Sequence, residues 1–251
     1  MAAGITSLIV GNWKMNGTTA ALAEVSKLAG LLAQGGGPRC TVVICPPATL
    51  LAQLTELGAP SGIVSGGQDC HTAASGAHTG DISAQMLADA GAQYVIVGHS
   101  ERRANHGETD SLVQQKALVA MGAGLTPIIC VGETEAERRG GSATAVVAGQ
   151  IEASVPDDWT GHGIVIAYEP VWAIGTGLTP TIADIAEMHD GIRALLVGRF
   201  GERGAAVRIL YGGSMKPANA RDILRVENVD GGLVGGASLL ANDFHAIISA
   251  V

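Results

Sequence analysis

Short apolar runs punctuate the whole chain: SLIVGNW, CTVVICP, GIVSGGQ, YVIVGHS, LTPIICVG, GIVIAYE, VRILYGG and GGLVGG, eight in all. Most are nearly continuous rather than alternating, which is how parallel strands buried on both faces read. Between several of them the period changes to that of a helix. Leu22, Val25, Leu28, Ala29 and Leu32 make one apolar stripe after a Thr18 cap, and Val113, Ala117, Ala120 and Met121 make a second after Asp110. Ile185, Met188, Ile192, Leu195 and Leu196 make a third, with Thr179-Pro180 as its start signal.

Eight such units in 251 residues have the size and rhythm of a (β/α)8 barrel, an α/β fold of eight parallel strands with surrounding helices. The rival is a doubly wound open sheet, but no G-x-G-x-x-G opens the first unit. No linker rich in Pro, Gly or Ser divides the chain, so residues 1–251 are expected to form one domain. The 36 glycines cluster after strands, as a fold with many tight turns requires.

Composition then narrows the class. The chain is 47% hydrophobic and 15% charged, enough to bury a sizeable core. Its net charge of 15 − 23 = −8, without blocks of like charge, weighs against nucleic acid and anionic membranes as partners. The N-terminus MAAGITSLIV carries no basic residue before its apolar stretch, and no window reaches the ~18 apolar residues of a membrane span. A soluble, cytoplasmic protein is the expectation. Four cysteines fit a reducing compartment; Cys40 and Cys45 share one strand-like run, roughly 16 Å apart if extended, too far to bridge. No cysteine or histidine spacing resembles a metal site, and no metal is expected.

In a barrel, chemistry belongs at the carboxyl ends of the strands. The first ends GNWKMNG, where alternation sets Asn12 and Lys14 on one side and Trp13 on the other. A lysine there either meets an anion or snorkels to water. The fourth ends GHSERR. His99 leaves the strand, and Ser100-Glu101 would open a helix with Ser100 as its cap; the positive helix end would disfavour protonation of His99. The other histidines, His71, His78, His106, His162, His189 and His245, read as structural. The sixth ends AYEPVWAIGTG. Glu169 stands at the tip of an apolar strand, and the apolar segment after it must bury Val171, Trp172 and Ile174. A lid over the barrel mouth would do so, expelling water and raising the pKa of Glu169. The seventh and eighth end YGGSM and GGLVGGASLL. Their glycine pairs and a short helix from Ala237 would bare backbone N–H groups for a phosphate, though tight turns explain either pair alone. Together these groups suggest proton transfer beside a carbonyl on a small phosphorylated substrate, without hydride transfer or metal.

GNWKMNG, GHSERR, CVGE, AYEPVWAIGTG, YGGS and GGLVGGASL, in this order, resemble the triosephosphate isomerase family along essentially the whole chain. The resemblance implies interconversion of dihydroxyacetone phosphate and glyceraldehyde 3-phosphate, in glycolysis and gluconeogenesis, without a cofactor. It implies Glu169 as the base, His99 as a neutral electrophile, Lys14 and Asn12 as stabilisers of the enediolate, and Glu101 as a support of Lys14. It makes Gly175, Ser214, Gly235 and Gly236 the phosphate-binding groups. Tyr211 and Ser214 would latch a closed lid spanning Pro170 to Gly177. These are the roles by which this enzyme family serves as a general illustration of tuned acid–base pairs and closing loops. It further implies a homodimer in which the loop bearing Thr79 crosses to the partner's active site. The chain departs from the common pattern at Leu178, where lysine is frequent, at His78, where phenylalanine is, and at Asp81, where glutamate is. Two rivals are a non-catalytic phosphate-binding barrel, which would lack Glu169, His99 or Lys14, and an isomerase for a four-carbon ketose phosphate, which would alter the lid or mouth.

Overall fold

The computed structural model describes residues 5–35, 37–159, 163–174 and 179–251. All eight expected strands form: β1 (Leu8–Asn12), β2 (Thr41–Cys45), β3 (Ile63–Gly67), β4 (Tyr94–Val97), β5 (Thr126–Val131), β6 (Val165–Tyr168), β7 (Arg208–Tyr211) and β8 (Gly231–Val234). Each pairs in parallel with the next, and β8 closes on β1 with Leu8 opposite Gly231 and Gly11 opposite Val234. The barrel is closed, so the open sheet is excluded.

The strands read as continuous apolar runs because alternate residues enter two separate cores. Leu8, Val10, Val43, Ile96, Ile128, Val165, Ala167, Leu210 and Leu233 fill the barrel interior. Their chain neighbours Ile9, Val42, Ile44, Val95, Ile129, Ile166 and Ile209 belong to the layer shared with the helices. All four cysteines are free and buried, Cys45 and Cys130 within the barrel.

The helices are α1 (Leu22–Gln34), α2 (Leu51–Gly58), α3 (Ala84–Asp89), α4 (Ser100–His106), α5 (Asp110–Gly122) and α6 (Glu135–Arg139). They continue with α7 (Ala143–Ser154), α8 (Ile182–Phe200), α9 (Glu202–Ala206), α10 (Ala220–Leu224) and α11 (Ala241–Ile248). The three predicted stripes are buried on α1, α5 and α8, apart from Ala29 and Leu195, which pack at the core's edge.

Their start signals fall differently. Thr18 precedes a 3-10 turn, Thr19–Ala21, and makes no side-chain cap, so α1 begins only at Leu22. On α5 the cap is Thr109, whose extended backbone (ψ 162°) lets its hydroxyl accept the Leu112 N–H; Asp110 is already helical. On α8, Thr181 and Asp184 close a reciprocal capping box, one residue beyond the expected Thr179-Pro180 signal.

Candidate active site

Residues that continue the interior pattern past the strand ends reach the barrel mouth. Val10 is followed at that parity by Asn12, and Ala167 by Glu169. Trp13 points the other way, buried in the outer core with its indole N–H on the Ser238 carbonyl at 3.1 Å. Lys14 then adopts a left-handed φ of 52°, a conformation in which non-glycine residues are uncommon. Its N–H bonds Asn12 Oδ1 (2.9 Å), and its carbonyl accepts from the Gln68 amide (2.8 Å). The Lys14 ammonium lies 2.6 Å from Glu101 Oε1 beside the mouth, so it meets an anion rather than snorkelling away.

His99 reaches the mouth because the chain breaks parity just before it. Gly98 has φ +66°, and a Cβ there would strike Val113 Cγ2 at 2.6 Å, so only glycine fits this turn. The expected Ser100 cap is not the cap. His99 occupies that position and its Nδ1 accepts the Glu101 N–H at 3.2 Å. Ser100 is the first helical residue, and both its N–H (2.9 Å) and its hydroxyl (3.2 Å) donate to Glu169. The serine is committed to a carboxylate across the mouth, which leaves the ring to cap α4.

Glu169 is 1% exposed. Its Oε1 lies 2.9 Å from His99 Nε2, and the Cys130 thiol also donates to it. The Glu101 N–H at Nδ1 assigns the ring proton to Nε2, between imidazole and carboxylate. Burial alone would raise the Glu169 pKa, as expected from sequence; the His99 ring, the Ser100 donors and Cys130 outweigh it and hold the carboxyl below its ordinary range. Burial likewise pulls His99 down, and the Glu169 carboxylate pushes it above its usual value. Both directions reverse the sequence expectation, which treated each group alone; here they are partners. Close packing fixes the arrangement from behind, since a Cβ on Gly132 would collide with the Glu169 carbonyl.

These groups face a cavity of about 810 Å³ whose wall includes Asn12, Lys14, His99, Glu169, Ser214, Gly235 and Gly236. The expected short helix after β8 is a single 3-10 turn, Gly236–Ser238. Around Gly236 nothing lies within 4 Å of a notional Cβ, so its backbone is open to a ligand. In the segment after β6, Val171 and Ile174 line the cavity and Ala173 is buried within a 3-10 turn that begins after Pro170. Gly175, Gly177 and Leu178 lie outside the described residues. Tyr211 is fully buried, and its hydroxyl has no hydrogen-bond partner among the described residues. Thr79 stands exposed in the loop after β3 and is not part of the cavity wall; Met15, beside Lys14, is 96% exposed.

One residue that the sequence reading gave no role anchors the segment after β6. Glu133, completely buried after β5, accepts from the Trp172 indole (2.8 Å) and the Tyr168 hydroxyl (3.0 Å), with Arg138 3.5 Å away. It closes the CVGE motif, so its position at a strand end was the available signal. Trp172 also lies under the Arg138 guanidinium, 5.4 Å from ring centroid to Cζ. The part of Cys130 had no signal beyond its place in that strand.

The fold and the site define a barrel enzyme with a carboxylate, an imidazole and an ammonium gathered at the strand carboxyl ends. The family profile described as triosephosphate isomerase matches residues 7–251. The triosephosphate isomerase of Afipia carboxidovorans is 57% identical over 253 residues, covering 100% of this chain and 99% of its own. That of Ruegeria pomeroyi is 57% identical over 97% of this chain and 96% of its own. The crystal structure of triosephosphate isomerase from Bartonella henselae superposes with a TM-score of 0.90 at 46% identity, covering 98% of this chain and 99% of that one. The chain belongs to the triosephosphate isomerase family.

Proposed function

We propose that the protein interconverts dihydroxyacetone phosphate and D-glyceraldehyde 3-phosphate by proton transfer through an enediolate. The observation that carries this reading is the buried Glu169–His99 pair at 2.9 Å, set in one cavity with Lys14. Glu169 takes a proton from the carbon beside the carbonyl while the His99 Nε2–H donates to the carbonyl oxygen; Glu169 then returns its proton to the neighbouring carbon, and His99 Nε2 regains a proton from the adjacent hydroxyl oxygen, which becomes the new carbonyl. Lys14 and Asn12 stabilise the oxyanion. Glu101 holds Lys14 at 2.6 Å.

Ser100 and His99 both engage the Glu169 carboxylate, so substrate has to draw the base off them. That release also resets His99. Once the carboxylate leaves Nε2, burial and Lys14 both favour the uncharged ring. The backbone donor at Nδ1 acts the same way, so a neutral electrophile results.

Gly175, Ser214, Gly235 and Gly236 bind the phosphate, and the Pro170–Gly177 lid closes over it with Tyr211 and Ser214 as latch. The Tyr211 hydroxyl, buried and without a hydrogen-bond partner among the described residues, supports that role. The whole chain acts as one domain, without cofactor, in the cytoplasm, in glycolysis and gluconeogenesis. No helix among the described residues is long and apolar enough to cross a membrane. It works as a homodimer with the Thr79 loop crossing over; the exposure of Met15 beside Lys14 favours a covering partner. Thr79→Arg should therefore yield a monomer in sizing chromatography with kcat down ~10²-fold, through misplaced catalytic groups.

The deciding experiment is isomerisation of D-glyceraldehyde 3-phosphate in deuterated water. Product carrying deuterium on the carbon next to the carbonyl is expected. Absence of turnover by the intact protein would refute the reading.

A further inference from the structure

The turn after β7 holds two residues of the cavity wall in one frame. Lys216 donates its N–H to Asn219 Oδ1 (2.7 Å), and the Asn219 side-chain amide donates to the Ser214 carbonyl (3.0 Å). The Lys216 carbonyl in turn accepts the N–H groups of Asn219 (3.1 Å) and Ala220 (3.0 Å). One asparagine therefore ties the backbones of Ser214 and Lys216 to each other and to the start of α10. Between them Met215 is 3% exposed and packs on β8, where a Cβ on Gly232 would meet its sulfur at 2.8 Å. With Met215 sunk, Ser214 and Lys216 both line the cavity of the candidate active site.

The titratable groups of that wall are Lys14, His99, Glu101, Glu169, Lys216 and Asp243. Lys14 is matched by Glu101, and His99 by Glu169. Among the described residues neither Lys216 nor Asp243 has an ion-pair partner, and Lys216 is exposed in a chain of net charge −8. We infer that Lys216 selects for the phosphate of the substrate, its ammonium drawing the dianion to the Ser214 side of the cavity. The inference rests on the isomerase reading above and deepens it, because it names a group that separates a sugar phosphate from the bare sugar. Backbone N–H groups at Gly235 and Gly236 supply direction; an ammonium on a flexible stem supplies net charge. Lys14 is held by Glu101 and serves the oxyanion, so the unmatched charge falls to Lys216. Asp243, in the first turn of α11, opposes the same anion.

The consequence is a dependence on charge rather than on shape. Exposed charge pairs change a binding constant by up to about fivefold, and a dianion sits at the upper end. Lys216→Met should therefore weaken a bound dianion roughly 5-fold, and Lys216→Glu roughly 25-fold by adding repulsion. Lys216→Arg keeps the charge and should stay within about twofold. Asp243→Asn removes the opposing carboxylate and should tighten binding about twofold. Because the interaction is exposed, added sodium chloride should compress the whole series.

Two measurements test it. Titration of inorganic sulfate into the intact protein and these variants, followed through the Ser214 and Gly236 amide shifts, reads dianion affinity without turnover. Steady-state rates on D-glyceraldehyde 3-phosphate and on D-glyceraldehyde read selectivity. The ratio of the two kcat/KM values should fall in the order Lys, Met, Glu at position 216, with the change carried by KM. Equal sulfate affinity across the series, or no sulfate shift at those amides in the intact protein, would overturn the role of Lys216. So would an equal loss on both sugars, which marks a purely structural effect. A protein that isomerises neither sugar would instead refute the functional reading, while the sulfate series still decides on Lys216.

Discussion

His99 at the barrel mouth and His189 on α8 are nearly the same residue in nearly the same burial, at 6% and 0% exposed. Each ties one nitrogen to the backbone: His99 Nδ1 accepts the Glu101 N–H, and His189 Nδ1 donates to the Asn228 carbonyl at 3.0 Å. They differ at the other nitrogen. Nε2 of His99 faces the Glu169 carboxylate; Nε2 of His189 has no hydrogen-bond partner among the described residues and lies among the rings of Tyr168 and Tyr211. Burial disfavours the charged form of both. His99 has a carboxylate in direct contact and rises; at His189 the pull of Asp190 and the Asn228 carbonyl does not offset burial and Arg193, and the ring is pushed down to about 4. Burial sets the direction of a pKa unless an opposite charge makes direct contact with the group. One ring can exchange a proton; the other is a strut.

The largest effect should come from erasing that difference. Glu169→Gln removes the counter-charge, so the His99 pKa should drop below its ordinary ~6.5 and approach the behaviour of His189. Loss of the base should lower kcat by ~10²–10⁴-fold. Nitrogen chemical shifts across a pH series and steady-state rates measure the two together. A ring that still titrates high in this variant would show that Glu101, 3.7 Å from Nδ1, governs it instead.

Stability against pH should carry opposite signs for the two rings. Folded His189 stays neutral to about pH 4, whereas the unfolded chain takes up its proton near ~6.5. Its folded pKa is the lower one, so stability is full above ~6.5 and falls by up to about 3 kcal/mol as pH drops toward 4. His99 has the higher folded pKa, so its contribution is full below ~6.5 and fades as pH rises through the folded value. Urea unfolding of His189→Phe from neutral to acid pH should show a shallower acid-side loss than the parent, whatever its absolute stability. An identical slope would mean that His189 is solvated in solution.

The smallest change concerns Tyr211, whose hydroxyl, like His189 Nε2, has no hydrogen-bond partner among the described residues. Tyr211→Phe removes a buried hydroxyl that bonds none of the described residues, so stability should stay within ~0.5 kcal/mol. The closed lid would lose one hydrogen bond of about 1 kcal/mol, so kcat should fall roughly 5- to 10-fold. A clear loss of stability with unchanged kcat would assign the hydroxyl to the core rather than to the lid.

Much of this was legible in the chain itself. The strands announced themselves because Ile9 and Val10, though they face different cores, are both apolar. The mouth groups were readable from strand ends, where parity carries Val10 to Asn12 and Ala167 to Glu169. Parity could not carry the reading to His99, because a left-handed Gly98 re-aims the chain there, and the helix cap was misplaced by one residue with it. The reversed pKa directions were beyond sequence, since they depend on a 2.9 Å separation between residues seventy positions apart in the chain. Glu133 and Cys130 earned no role for the same reason: their partners, Trp172 and Glu169, come from another strand end.

The four buried thiols turn the protein into its own clock. Burial pushes Cys40 up to about 11 and Cys70 up to about 12, and raises Cys45 and Cys130 as well. The nucleophilic thiolate is thus scarce at neutral pH, and no sulfur is within easy reach of a reagent. Alkylation then waits for the chain to open. With excess iodoacetamide the rate of labelling reads the opening equilibrium, and at still higher reagent it saturates at the opening rate itself. Cys40 lies at the foot of β2 and Cys130 at the heart of the barrel, so mass spectrometry of the two labelled peptides would time the fraying of an edge against the rupture of the centre.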